Sequence, residues 1–227
     1  MARDSMIGLV GGLGVGATVH YYEKLSAAFV ERGIQPGLLI SHADLGKAYT
    51  LVQEGAMDEL AAYLNSHIQV LARAGCAFAA IAAVTPLICA PQLQPIAALP
   101  LVDVFDCVNA EIERRAIKRV AIFGTKFVMR SDMFGRLEDV EIMRPSPEAA
   151  DLVQNNYLII ARTGNIADAD IEGIRTIGKD MAAAGAEAVL LAGTELSLAF
   201  DEASAGFPAL DCGRVHIDAI IVRAIGA

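Results

Sequence analysis

Apolar stretches of five to eight residues alternate along the chain with longer segments of helical periodicity. This alternation is typical of α/β folds with parallel sheets. In the first half the pattern predicts strands at 6–11, 37–42, 77–83 and 100–103, and helices at 17–32, 56–73 and 89–98. In the second half it predicts strands at 117–125, 139–143, 187–192 and 208–211, and helices at 106–116, 127–137, 147–162, 168–184 and 213–225.

Two pairs of segments, about 110 residues apart, resemble each other. AGCAFAAIAAVTPL (74–87) and AGAEAVLLAGTEL (184–196) each have an Ala-Gly turn, an apolar run and a threonine. PLVDVFDCVNAEI (100–112) and PALDCGRVHIDAI (208–220) each have a proline, an apolar strand, an Asp-Cys pair and a helix start. Internal similarity of this kind indicates duplication. We therefore predict an α/β fold of two similar Rossmann-like domains related by a pseudo-twofold duplication, with the site in the cleft between them.

The domain boundaries follow from the same pattern. No Ser/Gly linker separates the halves, so we expect them to pack closely. The helices at 106–116 and 213–225 are expected to cross between the domains. The first domain is then 1–104 plus 213–227, and the second is 105–212.

Composition narrows the class of protein. With 55% hydrophobic residues the chain can bury a sizeable core. No apolar run reaches the roughly 18 residues of a membrane span, and MARDSM lacks the apolar segment of a signal peptide. We therefore expect a cytoplasmic protein without a membrane partner. The formal net charge of −9, with no basic stripe, argues against nucleic acid as a partner.

Cysteine and histidine spacing gives no metal signal. The sequence has no C-x-x-C pair and no histidines at ligand spacing, so we expect neither a metal nor a disulfide. The residues concerned are Cys76, Cys89, Cys107 and Cys212, with His20, His42, His67 and His216.

Open α/β sheets bind ligands beyond the carboxyl ends of their strands. That rule selects Gly11–Thr18, Ser41–Asp44, Ala83–Pro86, Gly124–Arg130 and Ala192–Leu196.

The first of these segments, GGLGVGAT, is a glycine-rich turn at a helix start. Its backbone N–H groups at Gly11, Gly12 and Gly14 are candidates to cradle a carboxylate. It nearly fits the phosphate-binding pattern G-x-x-x-x-G-K-[ST], but Ala17 replaces the lysine. A nucleotide is therefore the less favoured ligand. A tight strand-to-helix turn without a ligand would need the same glycines.

Three threonines and one acid follow the buried strands. Thr85, Thr125 and Thr194 are candidate carboxylate contacts, although a threonine there can also cap the next helix. Glu195 ends an apolar strand, where burial would raise its pKa and suit it to general acid–base work. Its alternative role is to stabilise the first turn of a helix. Lys126 and Arg130 are possible anion partners, but long cations near a loop usually face solvent.

His216 lies early in the last predicted helix, five residues after Asp211. This position is expected to face the cleft, so His216 is a second candidate catalytic residue. A lone histidine is as often structural, and both alternatives stay open.

At these segments the chain resembles the aspartate/glutamate racemase family, which also includes hydantoin racemase and arylmalonate decarboxylase relatives. The matching elements are IGLVGGLG followed by HYYEKL, then RVAIFGTKF, LLAGTEL and PALDCGRVH. The resemblance implies two similar α/β halves with the site between them. It also implies a homodimer and chemistry without a cofactor, in which one thiol removes the α-proton and a second returns one.

The chain departs from that family at the reacting centre. The first family motif, roughly C-N-T, reads Ala83-Val84-Thr85 here, and the second, G-C-T-E, reads Ala192-Gly193-Thr194-Glu195. Both cysteine positions, Ala83 and Gly193, are therefore vacated. Two-thiol racemisation is not expected, since neither alanine nor glycine transfers protons.

Three functional hypotheses follow. The first is an enzyme that holds a small carboxylic or amino acid and uses Glu195 or His216 for protons, as an isomerase or a decarboxylase-like lyase. The second is a binding or regulatory protein that kept the fold and lost the chemistry. The third, a nucleotide-binding protein, rests on the glycine turn alone.

Overall fold

The computed structural model describes residues 6–34, 37–163, 167–200 and 202–226. The chain divides into two compact units, Met1–Asp103 with His216–Ala227, and Val104–Val215. Each unit contains a four-stranded parallel sheet with helices between its strands. The predicted fold class, two similar α/β domains, is confirmed. Within the described residues no helix has the length and apolar character needed to cross a membrane.

The first unit has the sheet order β2-β1-β3-β4. Its strands are β1 (Ile7–Gly11), β2 (Leu38–His42), β3 (Phe78–Ile81) and β4 (Leu101–Val102). Its helices are α1 (Val15–Glu31), α2 (Leu45–Glu54), α3 (Met57–Arg73) and α4 (Ala90–Leu93), with 3-10 turns at Thr85–Cys89 and Gln94–Ile96.

The second unit repeats this arrangement in the order β6-β5-β7-β8. Its strands are β5 (Arg119–Phe123), β6 (Glu141–Met143), β7 (Ala188–Leu191) and β8 (Ala209–Asp211). Its helices are α5 (Val104–Arg114), α6 (Lys126–Arg130), α7 (Pro147–Thr163) and α8 (Asp168–Ala183), with 3-10 turns at Met133–Gly135 and Leu196–Leu198. The helix α9 (Cys212–Ile225) begins in this unit, and from His216 onward its residues belong to the first.

The central strands are buried along their whole length because helices cover both faces of a parallel sheet. All five residues of β1 and all four of β3 are buried. The core of the first unit joins side chains of β1, α1 and β3 to those of α9. It includes Ile7, Leu9, Tyr21, Leu25, Phe29, Phe78, Ile217, Ile220 and Ile221.

The strand register shows which positions of the two units correspond. Val10 pairs with Ile81 in the first unit, and Phe123 pairs with Leu191 in the second. Val10 and Phe123 each stand directly before a glycine. Counting on from these pairs, Ala83 corresponds to Gly193, as the sequence indicated.

The same register corrects two sequence equivalences. Thr85 corresponds to Glu195 rather than to Thr194, so the threonines of the two similar segments are offset by one residue. Ala80 pairs with Val102 and Leu190 with Leu210, which makes Asp103 the counterpart of Asp211. The aspartate of the first Asp-Cys pair, residue 106, instead lies inside α5. The two units therefore share an aspartate at the end of the fourth strand, and the Asp-Cys dipeptides do not occupy equivalent positions.

The sequence pattern missed the helix α2. Asp44 caps its first turn by accepting a hydrogen bond from the Lys47 N–H at 3.0 Å, and Gly55 ends it in a left-handed conformation with φ 68°. Both are ordinary helix-boundary signals. The helix was missed because only Ala48 and Val52 are buried along it, which leaves a weak periodic pattern.

Two predicted helices are broken into shorter pieces. The segment predicted as a helix at 89–98 is instead a series of short turns, each with a proline in its first two positions. Proline favours a helix start and cannot donate to the preceding turn, so each one begins a new piece. The predicted helix at 127–137 stops after α6, because Asp132, Met133 and Phe134 all have positive φ.

Candidate active site

Glu195 lies just beyond β7, at the start of the 3-10 turn Leu196–Leu198. Only 3% of the residue is exposed. Burial raises the pKa of this carboxyl, while hydrogen bonds from Tyr157, from its own backbone N–H and from Thr194 act in the opposite direction. Glu195 is therefore a carboxyl group with an elevated pKa at the carboxyl end of a buried strand, as the sequence suggested it would be.

Tyr157 contacts the candidate acid and is not among the residues that the sequence singled out. It lies on α7, and its hydroxyl donates a hydrogen bond to Oε2 of Glu195. Thr194 Oγ1 donates to the same Oε2 at 3.2 Å. Burial raises the pKa of Tyr157 well above its ordinary value, and the neighbouring Glu195 carboxyl adds a smaller increase. The phenol therefore stays protonated and remains a hydrogen-bond donor.

The space beside Gly193 is filled by the ring of Tyr157. A Cβ atom built at Gly193 would lie 2.3 Å from Cε2 of Tyr157 and 3.0 Å from its Cδ2. Those distances are far inside van der Waals contact. No side chain fits at Gly193 while the tyrosine ring is in place. In the other unit, Ala83 is buried at 6% exposure beside the buried Val84 and Leu87.

The three candidate threonines differ in their surroundings. Thr194 is buried and bonded to Glu195. Thr125 caps α6, since its Oγ1 accepts a hydrogen bond from the Val128 N–H at 3.2 Å. Thr85 is partly buried and opens the 3-10 turn that follows β3. Thr194 is thus the threonine that the structure brings together with the candidate acid.

The glycine turn after β1 is closed by Thr18. The Gly12 N–H donates to Thr18 Oγ1 at 2.9 Å, and that hydroxyl donates to the Gly14 carbonyl at 2.8 Å. Gly12 has φ 83°, and a Cβ there would lie 2.3 Å from the Ala43 carbonyl oxygen. Gly11 is packed against Thr18 in the same way. One of the amides proposed to cradle a carboxylate therefore already has a partner within the turn.

His216 is fully buried in the first unit. Its Nε2 lies 2.8 Å from the Val102 carbonyl oxygen, and its Nδ1 lies 2.9 Å from the Tyr21 hydroxyl. A carbonyl can only accept, so Nε2 carries the proton and Nδ1 accepts from the tyrosine. Burial lowers the pKa of His216 to about 4. This geometry favours the structural alternative, because both ring nitrogens are engaged inside the protein.

Asp211 is a second buried acid, at the end of β8. Its Oδ1 accepts hydrogen bonds from Ser197 Oγ at 2.7 Å, from the Gly213 N–H at 2.8 Å and from the Arg214 N–H at 3.1 Å. Burial nevertheless raises its pKa. Asp211 therefore caps α9, and its bonded oxygen is fully occupied by that role.

Three of the four cysteines, Cys76, Cys89 and Cys212, are buried thiols. Burial raises the pKa of Cys76, raises that of Cys89 to about 12, and raises that of Cys212 well above its ordinary value. These thiols stay protonated at neutral pH, whereas the thiolate is the reactive form. Across the described residues, no group of three or more His, Cys, Asp or Glu side chains could hold a metal ion.

A small cavity of about 190 Å³ lies beside α6 and the start of α7. Lys126, Arg130 and Arg144 line it together with Asp151. Lys126 is paired with Asp151, and Arg144 with Asp132. Two of the three cations are thus offset by carboxylates, which leaves the cavity with a weak preference for anions.

The chain is thus a two-unit parallel α/β protein with a buried acid beyond β7. Residues 10–220 match the sequence model of the Asp/Glu/hydantoin racemase family, and the chain belongs to this family. Solved structures share its fold. A protein assigned to the Asp/Glu racemases from Yersinia pestis has a TM-score of 0.84 at 20% identity, covering 97% of this chain and 99% of that one.

Two further structures share the fold. An aspartate racemase homologue from Pyrococcus horikoshii OT3 has a TM-score of 0.81 at 27% identity, with 97% of this chain and 99% of that chain covered. An aspartate racemase from Picrophilus torridus has a TM-score of 0.80 at 19% identity, with 97% and 94% covered.

Proposed function

We propose that this protein binds a small carboxylic or amino acid and transfers a proton on it through Glu195, without a thiol and without a cofactor. The observation that carries the proposal is the burial of Glu195 beyond β7, with a raised pKa and hydrogen bonds from Tyr157 and Thr194. A raised pKa brings a carboxyl closer to working pH, where it can both take and give a proton.

One acid supports a narrower set of reactions than two opposed thiols. As a carboxylate, Glu195 takes the α-proton while the C–H electron pair delocalises into the substrate's carboxyl group as an enolate. As a neutral acid, it gives its proton to the carbon that keeps the electron pair when a C–C bond breaks and CO₂ leaves. Both steps balance without a co-reactant. We therefore favour one-face proton exchange, isomerisation or decarboxylation over racemisation by opposed groups.

The binding frame is the second part of the proposal. Thr194, which is hydrogen-bonded to Glu195, is the first candidate contact for the substrate, and Thr125, Thr85 and the turn at 11–14 are the further candidates. That one ligand touches groups from both units stays a prediction. Thr85→Val and Thr194→Val test it, since both should weaken binding of the same acid. A homodimer in the cytoplasm is likewise proposed, and sedimentation of the purified protein tests the dimer.

The test is proton exchange in D₂O with a panel of amino acids, small dicarboxylic acids and arylmalonates. Mass spectrometry follows deuterium uptake at the α-carbon and loss of CO₂. The wild type should react with at least one panel member, and Glu195→Gln should abolish that reaction. The matched control is Glu113→Gln, which alters an exposed glutamate of the same unit and should react normally. Full activity in Glu195→Gln would refute the proposal.

The vacated positions Ala83 and Gly193 favour a second candidate function, a binding or regulatory protein without chemistry. The same panel distinguishes the two. A ligand present at about 100 times its Kd stabilises a folded protein by about 2.7 kcal/mol, which a thermal-shift assay detects. If an acid stabilises the protein but neither exchanges its α-proton nor loses CO₂, the protein is a binding or regulatory protein. Stabilisation by NAD or ATP would revive the nucleotide hypothesis.

A further inference from the structure

We propose that Tyr157 is the positioning residue of this site: its ring takes the place of the missing thiol, and its hydroxyl fixes Glu195 Oε2 so that Oε1 is the oxygen that exchanges the proton. This inference rests on the proposed role of Glu195 and adds the atom that reacts.

The first support is the distribution of hydrogen bonds on the carboxyl group. The Tyr157 hydroxyl and Thr194 Oγ1 both donate to Oε2, and neither donates to Oε1. Two donors on one oxygen restrict rotation of the carboxyl group about its terminal bond. A carboxyl held in this way presents its other oxygen in one orientation, which is what a proton-transferring group needs.

The second support is the mutual exclusion of Tyr157 and any side chain at Gly193. A Cβ at Gly193 would lie 2.3 Å from Cε2, 3.0 Å from Cδ2 and 3.3 Å from Cζ of the ring. Even a single methyl group there must displace the aromatic ring. Displacement of the ring also moves the hydroxyl away from Glu195. The absence of a side chain at Gly193 is thus a requirement of the hydrogen bond between Tyr157 and Glu195.

The third support is the anchoring of α7 next to the tyrosine. The neighbouring Asn156 donates from Nδ2 to the Asp170 carbonyl of α8 at 3.1 Å. Val153 and Ile160, one turn before and one turn after on the helix, are 0% and 1% exposed. Tyr157 therefore projects from a helix that is fixed on both sides of it. A fixed helix is a better support for a positioning group than a loop.

The hydrogen bond from Tyr157 also opposes the effect of burial on the pKa of Glu195. Among the described residues, two side chains donate hydrogen bonds to the Glu195 carboxyl, those of Tyr157 and Thr194. Of the two, Tyr157 is the titratable one. A donor to the charged form stabilises that form. Removal of the tyrosine hydroxyl should therefore raise the pKa of Glu195, since burial would then act with less opposition.

The closing experiment measures that titration directly. Protein labelled with ¹³C at the glutamate carboxyl carbons is titrated by NMR, and the Glu195 signal is assigned by its loss in Glu195→Gln. In Tyr157→Phe the Glu195 midpoint should move to higher pH. Gly193→Ala should move it in the same direction, and the double variant should move it no further than Tyr157→Phe does. The matched control, Tyr49→Phe, removes an exposed phenol and should leave the midpoint unchanged.

An unchanged midpoint in Tyr157→Phe would overturn the proposal, whatever Gly193→Ala does. The measurement needs no substrate, so its failure is distinct from failure of the proposed function. Where the wild type turns over a panel acid, Tyr157→Phe should lower kcat about tenfold or more with little change in KM, because the catalytic carboxyl loses its orientation toward the substrate. Its pH–rate limb should move with the NMR midpoint, which a purely structural tyrosine would not cause.

Discussion

Acidification should destabilise this protein through the buried ring of His216. The neutral ring is bonded on both nitrogens, to Val102 and Tyr21, and is 0% exposed. Protonation would place a second N–H on Nδ1, which now accepts from the Tyr21 hydroxyl. It would also place a charge in the apolar core that includes Ile7, Phe78 and Ile217. The folded state therefore resists protonation more than the unfolded chain does.

The size of the effect follows from the pKa of His216, which is about 4 in the folded protein against an ordinary value of 6.5. Since the folded value is the lower one, the stabilisation is complete above about pH 6.5 and is lost as pH falls toward 4. One pKa unit corresponds to about 1.4 kcal/mol. The expected loss is about 1.4 kcal/mol by pH 5.5 and about 3 kcal/mol by pH 4.

The assay is urea unfolding at pH 7.5, 6.5 and 5.5, which stays above the isoelectric point of about 4.9. His216→Gln keeps a donor and an acceptor in the pocket but does not titrate, so its free energy of unfolding should lack this pH-dependent loss. His42→Gln alters an exposed histidine and should retain the loss. If wild type and His216→Gln lose stability equally between pH 7.5 and 5.5, the reasoning about the buried ring is wrong.

Three further predictions concern the second unit. Because burial raises the pKa of Glu195, the contribution of this residue to stability should fall as pH rises above about 4.5, so urea unfolding at successive pH values should show Glu195→Gln gaining stability relative to the wild type. Gly178→Ala would place a Cβ 2.5 Å from Cδ1 of Phe207 and should cost about 1–3 kcal/mol in the same assay, whereas an unchanged midpoint would mean that the ring moves freely. Thr125→Ala should cost about 1 kcal/mol by removing the cap bond to Val128, and calorimetry showing no change in Tm would contradict the capping role.

Much of the fold could be predicted from the sequence, because buried parallel strands leave a clear apolar signature. The runs that became β1, β3, β5 and β7 were placed correctly to within a few residues. The helix α2 was not, because a helix with few buried positions has little periodicity. The left-handed turn at residues 132–135 has no signal in the sequence, since non-glycine residues rarely adopt that conformation.

The candidate site was only half predictable. Glu195 follows from the rule that ligands bind beyond strand ends, together with its apolar surroundings. Tyr157 does not, because it lies 38 residues earlier and nothing local shows which way α7 turns its ring. The available signal was Gly193, where the related family has a residue with a side chain. An unfilled position in a close-packed interior implies that a side chain from elsewhere occupies it.

The division of α9 between the two units has a consequence for synthesis on the ribosome. The first unit needs Ile217, Ile220 and Ile221 for its core, and Tyr21 meets His216 across 195 residues of chain. Residues 104–215 emerge before those isoleucines do. The second unit can therefore complete its core during translation, while the first waits with part of its apolar surface uncovered. A nascent chain stalled before residue 216 should present that surface to chaperones.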